Sequence, residues 1–231
     1  EITARAADAI RARLDADAEV RFVFSGTAAN AIALSMLAQP FEAVLAHNSA
    51  HVCTDETGAP GFFGHGVGLI GLPGFSGKID PLALHAQLDE PEVGHRQPPA
   101  ALTLTQATEY GAVYTEEELR HLIEPVKMRG FGVHMDGARL ANAAAAGFDL
   151  TQIPRLGADI LVFGGAKAGG PCAEAIVLFN KALARRLDNR LKQAGQTASK
   201  ARLLSGPLLG LLESGDWDAG AAHANLMAQR L

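Results

Sequence analysis

Cysteine is scarce in this chain, which has two, Cys53 and Cys172. Two cysteines cannot build a disulfide framework, and they suit a reducing compartment. Apolar runs are short as well, and none approaches the roughly 20 residues that a membrane-spanning helix needs. Positive charge is not in excess, because the net charge is −5, so the bulk field does not attract nucleic acid or an acidic membrane surface. These absences favour a cytoplasmic protein.

Internal repeats and low-complexity linkers are also missing. The chain has 231 residues, of which 48% are hydrophobic and 19% are charged, the composition of an ordinary globular protein. The one stretch with little regular pattern is 90–99, where three prolines predict a surface loop. We therefore expect one large domain over residues 1–231.

Short apolar runs alternate with helical patterns along the chain. This alternation predicts an α/β fold with a mostly parallel, seven-stranded sheet flanked by helices. The predicted strands are 19–24, 43–46, 67–72, 101–105, 132–135, 160–163 and 175–179. The predicted helices are 3–14, 27–37, 81–88, 115–128, 138–145, 181 to about 192, and a last one over 219–231. Thr115, followed by three glutamates, is expected to cap the fourth of these helices.

Polar residues and glycines lie at the carboxyl ends of five predicted strands. Ligands of open α/β sheets bind outside the carboxyl ends of the strands. The residues at or just beyond these ends are Ser25, His47, Gln106, Asp136 and Gly164. Agreement among five segments predicts one ligand site at this edge of the sheet.

Two charged residues follow buried strands, Asp136 in 134–139 and Lys167 in a glycine-rich run over 163–170. A Schiff base between Lys167 and an aldehyde cofactor explains the lysine, and Asp136 would then keep the cofactor's ring nitrogen protonated. Alternatively, Asp136 caps a helix that begins near Gly137, and Lys167 extends from the turn into water. The cofactor hypothesis explains both residues at once, whereas the alternatives are independent coincidences.

Three further segments leave alternatives open. Residues 25–30 follow a strand and begin a helix, which suits either a phosphate at the free amides or simple capping by Ser25 or Thr27. His51 is a general base, a metal ligand, a ring that stacks on a cofactor, or a hydrogen-bonded loop histidine. No spacing matches a metal-ligand motif. Glu109 is either an active-site carboxylate or a loop charge in water.

Five ordered segments of the chain resemble a known family. Segments 25–30, 50–52, 106–109, 134–139 and 163–167, extended by 192–200, are similar to low-specificity L-threonine aldolases, most closely the bacterial phenylserine-aldolase-like branch. These are fold-type-I enzymes that depend on pyridoxal 5'-phosphate. The resemblance implies that residues 1–231 are the large cofactor-binding domain of a longer enzyme, with a preceding segment and a small C-terminal domain outside them. It also implies a homodimer or homotetramer with active sites at the subunit interface.

The resemblance also implies roles for single residues. Lys167 matches the lysine that forms the internal aldimine, and Asp136 matches the carboxylate on the pyridine nitrogen. His51 matches the histidine that stacks on the ring near the substrate hydroxyl. The other matched positions are Ser25, Gly26 and Thr27 in the phosphate cradle, Lys192 near the phosphate, Arg139 at the cofactor or the substrate carboxylate, and Glu56 and Glu109 near the substrate.

The activity that the resemblance implies is a reversible lyase reaction. L-threonine, allo-threonine or a related β-hydroxy-α-amino acid such as phenylserine would be cleaved to glycine and an aldehyde, through the Lys167 aldimine and a quinonoid. The base would be His51, or Glu56 or Glu109 acting through a water. The alternatives are a β-eliminating amino-acid lyase on the same fold and a non-catalytic domain that binds the cofactor.

The chain departs from the family pattern at three positions. Ala166 replaces a threonine before the lysine, and Ala168 replaces an asparagine after it. Glu109 stands where some relatives carry a histidine. The proton acceptor is therefore the least determined part of the expected site.

Overall fold

A computed structural model describes residues 1–231. The strands are β1 (Glu19–Val23), β2 (Ala43–His47), β3 (Gly68–Leu72), β4 (Gly74–Phe75), β5 (Lys78–Ile79), β6 (Pro99–Thr105), β7 (Gly132–Gly137), β8 (Ile160–Gly164) and β9 (Glu174–Leu178). The helices are α1 (Ile2–Leu14), α2 (Gly26–Leu37), α3 (His51–Thr54), α4 (Ala59–Phe63), α5 (Pro81–Asp89), α6 (Glu116–Met128), α7 (Leu140–Ala145), α8 (Gln152–Arg155), α9 (Leu187–Gln193), α10 (Arg202–Ser214) and α11 (Asp216–Ala228). A 3-10 helix, Lys181–Arg186, leads into α9.

Seven strands form one sheet in the order β1-β9-β8-β7-β6-β2-β3, and β4 and β5 form a separate hairpin. Strands β3, β2, β6, β7 and β8 pair in parallel, whereas β9 is antiparallel to both of its neighbours. The predicted mostly parallel, seven-stranded sheet is therefore confirmed. Because β1 runs in the same direction as β8, the carboxyl ends of β1, β2, β6, β7 and β8 share one edge.

Helices cover both faces of the sheet, and alternate residues of each central strand point to opposite layers. In β8, Ile160 and Val162 pack with α2, while Leu161 and Phe163 pack on the other face with α1, α6 and α10. Helix α2 lies against the middle of the sheet and is apolar on nearly all sides, as expected for a buried helix. Its N-terminus lies beside the carboxyl end of β1, where the candidate site is found.

The predicted elements agree with the structure apart from their ends, several short helices, the 13-residue helix α10 and the β4–β5 hairpin. Thr115 caps α6 in a full capping box with Glu118, as predicted. Helix α7 begins at Leu140 rather than at 138, so Asp136 is not its N-cap. Helices α3, α4, α8 and α10 were not predicted. Three of these have only one or two turns, too few to show a 3.6-residue period.

No helix of the chain combines the length and the apolar composition that crossing a membrane requires.

Candidate active site

The site lies at the carboxyl edge of the parallel strands, on the face of the sheet that α2 covers. Asp136 ends β7 opposite Val162, and Phe163 and Gly164 then lead into the turn that carries Lys167. Asp136 and the Lys167 turn therefore leave adjacent strands at the same edge. This placement agrees with the expectation from the sequence.

Asp136 is a buried carboxylate with an exposed fraction of 4%. Its Oδ1 accepts a hydrogen bond from the amide of Ala138 at 2.9 Å, and its Oδ2 accepts one from Asn30 Nδ2 at 2.9 Å. Neither donor carries a full charge, so the negative charge of Asp136 is not neutralised by a cation there. A buried carboxylate of this kind is costly, and it suits a protonated ring nitrogen as its partner.

Asn30 connects Asp136 to a second buried carboxylate. The same Nδ2 lies 2.8 Å from Glu56 Oε1, which also contacts His51 Nδ1 at 2.9 Å. Burial raises the pKa of Glu56, and the hydrogen bonds from Asn30 and His51 oppose that rise. The structure thus brings His51, Glu56 and Asp136 together in one hydrogen-bonded chain. Glu56 holds the imidazole of His51 and does not extend freely toward a substrate.

A buried histidine lies on the same face of β7 as Asp136. His134 is fully buried, and its Nδ1 lies 2.7 Å from Thr103 Oγ1. Burial lowers the pKa of His134 to about 4, although the charge of Asp136 opposes that shift. His134 is therefore neutral near pH 7 and adds no positive charge to the site.

The turn from β1 into α2 presents free backbone amides. The amide of Ala28 donates to Ser25 Oγ and that of Ala29 to Ser25 O, which leaves the amides of Gly26 and Thr27 without a protein partner. Ser25 is therefore a helix cap. Free amides at the N-terminus of a 12-residue helix favour a phosphate group.

Lys167 lies in a tight turn after β8. The carbonyl of Gly165 accepts from the amides of Ala168 at 3.2 Å and Gly170 at 3.0 Å. A Cβ on Gly165 would lie 2.6 Å from the carbonyl oxygen of Ala173, so a larger residue does not fit there. The exposed side chain of Lys167 has no ion-pair partner.

Trp217 of α11 supports the end of β8 from the opposite face. Its indole donates to the carbonyl of Gly164 at 3.0 Å, and its ring stacks on Phe163 with a centroid separation of 5.1 Å. A fully buried tryptophan with its N–H paired is a rigid support. The strand end that precedes Lys167 is therefore held in place.

Lys167 opens into a cleft with a volume of about 620 Å³. Glu109 and Arg139 line the same cleft and form an ion pair at 2.7 Å. Glu109 is thus not a loop charge in water, because its side chain is only 18% exposed. One nitrogen of Arg139, Nη1, is buried without a partner. It is suited to an anionic group of a ligand.

Of the predicted site residues, Glu109, Arg139 and Lys167 line this cleft. Lys192 is not among them. It lies in a separate groove with Phe22 and Gln196, and it forms no ion pair. Gln196 of the same groove accepts from the amide of Phe24 at 3.0 Å, beside the turn from β1 into α2. Its proposed contact with a phosphate stays a prediction.

Two residues that contribute to the site were not predicted. Asn30 bridges two carboxylates, and the signal was an amide side chain inside an otherwise apolar helix. Glu174 accepts from the amide of Gly165 at 2.9 Å, and the signal was a carboxylate at the start of an apolar strand. Because buried polar groups need partners, a polar residue within either apolar segment predicts a buried hydrogen bond.

The residues fit pyridoxal 5'-phosphate. The donor set has an amine on a glycine-rich turn, a buried carboxylate for a ring nitrogen, free helix amides for a phosphate and an imidazole beside the carboxylate. The orphaned Arg139 Nη1 adds a site for an anion. Lys167, Asp136, Gly26 with Thr27, and His51 are the residues that would hold the cofactor.

Comparison with known proteins supports the same cofactor. The profile of the beta-eliminating lyase family matches residues 1–231. The low specificity L-threonine aldolase of Pseudomonas sp. (strain NCIMB 10558) is 46% identical over 231 residues, which are 99% of this chain and 67% of that protein.

Two solved structures extend the comparison. A threonine aldolase from Leishmania major is 33% identical and superposes with a TM-score of 0.93, over 99% of this chain and 67% of that one. The aspartate aminotransferase of Thermus thermophilus shares the fold alone, with 16% identity and a TM-score of 0.74 over 99% of this chain and 60% of that one. The chain belongs to the beta-eliminating lyase family and is a lyase that depends on pyridoxal 5'-phosphate, with the fold-type-I architecture.

Proposed function

We propose that this lyase cleaves L-threonine, allo-threonine and related β-hydroxy-α-amino acids such as phenylserine to glycine and an aldehyde, and catalyses the reverse addition. The observation that carries the proposal is the hydrogen-bonded chain from His51 through Glu56 and Asn30 to Asp136. It joins a base suited to a hydroxyl proton with the carboxylate suited to the cofactor ring. The names of the two relatives support the same reaction.

His51 is the proposed base. Glu56 in its ionised form has no proton to donate, so His51 Nδ1 donates to Glu56 Oε1 and Nε2 is left as the acceptor. Nε2 takes the proton of the substrate's β-hydroxyl as the Cα–Cβ bond breaks. His51 then returns its proton to water and one proton from water is added to Cα, so the protein is regenerated and the products are glycine and an aldehyde.

The remaining residues bind and orient. When bound, pyridoxal phosphate supplies an electron sink for the bonds at the substrate's Cα. Lys167 would hold the aldehyde carbon of the cofactor, Asp136 would accept from its ring nitrogen, and the amides of Gly26 and Thr27 would hold its phosphate. Arg139 offers Nη1 to a carboxylate or phosphate, while Glu109 fixes its guanidinium by the 2.7 Å ion pair.

Replacement of Lys167 tests the proposal. We expect Lys167→Ala to abolish the formation of acetaldehyde from L-threonine, because the chain then lacks the amine that binds the cofactor covalently. A coupled alcohol dehydrogenase assay measures this, and borohydride treatment with mass spectrometry reads the covalent attachment to residue 167. Lys181→Ala is the matched control, since Lys181 pairs with Asp17 at the surface. Wild-type activity in Lys167→Ala would contradict the assignment.

A β-elimination is the second candidate, because the family that matches the whole chain carries that name. Elimination gives a keto acid and ammonia, whereas aldol cleavage gives glycine and an aldehyde. Product analysis with L-threonine, phenylserine and L-serine separates the two reactions. Ammonia and a keto acid in place of glycine would replace the aldolase proposal with this one.

We also propose a homodimer or homotetramer with active sites at the subunit interface, in the cytoplasm. Phe24 lies just before the turn from β1 into α2 and is 48% exposed, and Tyr110 lines the cleft of Lys167 and is 68% exposed. Exposed aromatic side chains beside a site favour a contact surface. Both cysteines are unpaired, which suits a reducing compartment. Light scattering after size exclusion that gives the mass of one chain would contradict the assembly.

A further inference from the structure

Glu174 is a buried carboxylate that the proposed mechanism does not use. It begins β9, pairs with Gly164 of β8 on one side and with Val23 of β1 on the other, and is 4% exposed. Its Oε2 accepts from the amide of Gly165 at 2.9 Å. An ionisable side chain buried between two neighbouring strands is costly, so its retention calls for a function.

The contact of Glu174 lies at the base of the Lys167 turn. The carbonyl of Gly165 accepts both the Ala168 amide and the Gly170 amide, so this residue closes the turn on either side of Lys167. The amide of the same residue points to Glu174. Both the amide and the carbonyl of Gly165 therefore have hydrogen-bond partners, Glu174 for the amide and the two later amides for the carbonyl.

The charge of Glu174 is also coupled to the site. Burial raises the pKa of Glu174 to about 7, the amides of Gly165 and Ala166 and the ammonium of Lys167 oppose this rise, and the charge of Asp136 adds to it. The charge of Glu174 is therefore coupled to the charges of Asp136 and Lys167.

We propose, on the basis of the proposed function, that Glu174 is a positioning residue whose carboxylate anchors the Lys167 turn through the amide of Gly165 and whose charge acts on Lys167 through that turn. It touches neither substrate nor cofactor. Its role is to keep Lys167 in the place and the electrostatic environment in which it holds the cofactor.

Asp159 provides a matched control. It is buried at 7% exposure, its Oδ2 accepts from the amide of Val133 at 2.8 Å, and it pairs with Lys127 at 2.7 Å. It precedes β8 at the opposite end of the sheet, away from Lys167. Asp159 thus has the same kind of bond to a backbone amide and the same kind of lysine neighbour, without the site.

The test compares Glu174→Ala and Glu174→Gln with Asp159→Ala and Asp159→Asn in the holoenzyme. The first measurement is the rate at which pyridoxal phosphate leaves each protein. The second is the pH midpoint of the visible absorbance band of the lysine-bound cofactor. Neither requires substrate, so both remain informative if wild-type protein does not cleave L-threonine. A wild-type protein that does not cleave L-threonine would contradict only the aldolase proposal, not the role of Glu174.

We expect Glu174→Ala to release the cofactor at least about tenfold faster than wild type and Asp159→Ala to release it at the wild-type rate. Glutamine keeps an acceptor for Gly165 and loses the charge. Glu174→Gln should therefore restore slow release, with the absorbance midpoint about one pH unit lower because the positive lysine nitrogen loses its neighbouring charge.

Two results would overturn the proposal. The first is a wild-type release rate in Glu174→Ala. The second is an equal acceleration in Asp159→Ala, because the effect would then come from general loss of stability. If Glu174→Ala does not fold, the midpoint of Glu174→Gln decides: a midpoint equal to wild type rejects the role, and a shift absent from Asp159→Asn supports it.

Discussion

The contacts of Asp136 distinguish between two roles for its carboxylate, helix capping and binding of a cofactor ring. It is not the N-cap of α7, which begins at Leu140, although it does accept the amide of Ala138. Its second oxygen is held by Asn30, so both oxygens have neutral donors and the negative charge is available to a ligand. This arrangement favours the cofactor hypothesis over simple capping.

We expect Asp136→Asn to lower kcat by about a thousandfold, equivalent to about 4 kcal/mol, because a neutral amide does not keep a ring nitrogen protonated. Steady-state cleavage of L-threonine measures the loss. Asp159→Asn removes another buried carboxylate and should retain most of the activity. Near-normal kcat in Asp136→Asn would show that the residue has only a structural role.

Asn30 donates hydrogen bonds to two carboxylates, Glu56 and Asp136. We expect Asn30→Ala to raise the pKa of Glu56 further, because burial already raises it and one opposing hydrogen bond is lost. Protonated Glu56 no longer fixes His51 as a base, so the acidic limb of the kcat/KM profile should move to higher pH by about one unit. Ser35→Ala, another buried polar change in α2, is the control. An unchanged acidic limb in Asn30→Ala would exclude Glu56 from the titration.

Elements differ in how well a sequence determines them, and α6 and the Lys167 turn illustrate the difference. The Thr115–Glu118 capping box and the apolar stripe of α6 are local, so the helix was predicted to within one residue of its start. The turn after β8 was recognised from its glycines, but its contacts come from Glu174 and Trp217, which are distant in the chain. Local patterns do not contain such contacts.

The capping box of α6 contributes to the free energy of unfolding. We expect Thr115→Ala to lower the free energy of unfolding by about 1 kcal/mol, since the amide of Glu118 loses its acceptor. Urea denaturation of both proteins measures the difference. Thr151→Ala is the matched control, because Thr151 precedes α8 without a side-chain cap bond, and a change within a few tenths of a kcal/mol is expected there. Equal effects of the two substitutions would contradict the assignment.

The stability of the whole molecule should depend on pH through Glu174. Its pKa in the folded chain is about 7 against an ordinary value of 4.5, so the native state binds more protons than the unfolded state between these values. The free energy of unfolding therefore falls as the pH rises through this window, by at most about 3 kcal/mol. From about one pH unit above this pKa this term is constant.

Urea unfolding of the cofactor-free protein between about pH 5 and about pH 8 measures this dependence. Glu174→Gln does not titrate, so its stability should fall less across the same window. Parallel curves for wild type and Glu174→Gln would assign the pH dependence to other groups.

The sequence by itself determined the layered sheet, because strand and helix periodicities are local and repeat along the chain. It also placed Asp136 and Lys167 at or just past the ends of two strands, which the structure pairs in parallel so that both residues lie at one edge. Only the tertiary structure decided the partners: Asn30 between Glu56 and Asp136, and Glu174 beneath the Lys167 turn. The physical reason is that a hydrogen bond depends on distances of about 3 Å between groups remote in the chain, which no local pattern of residues specifies.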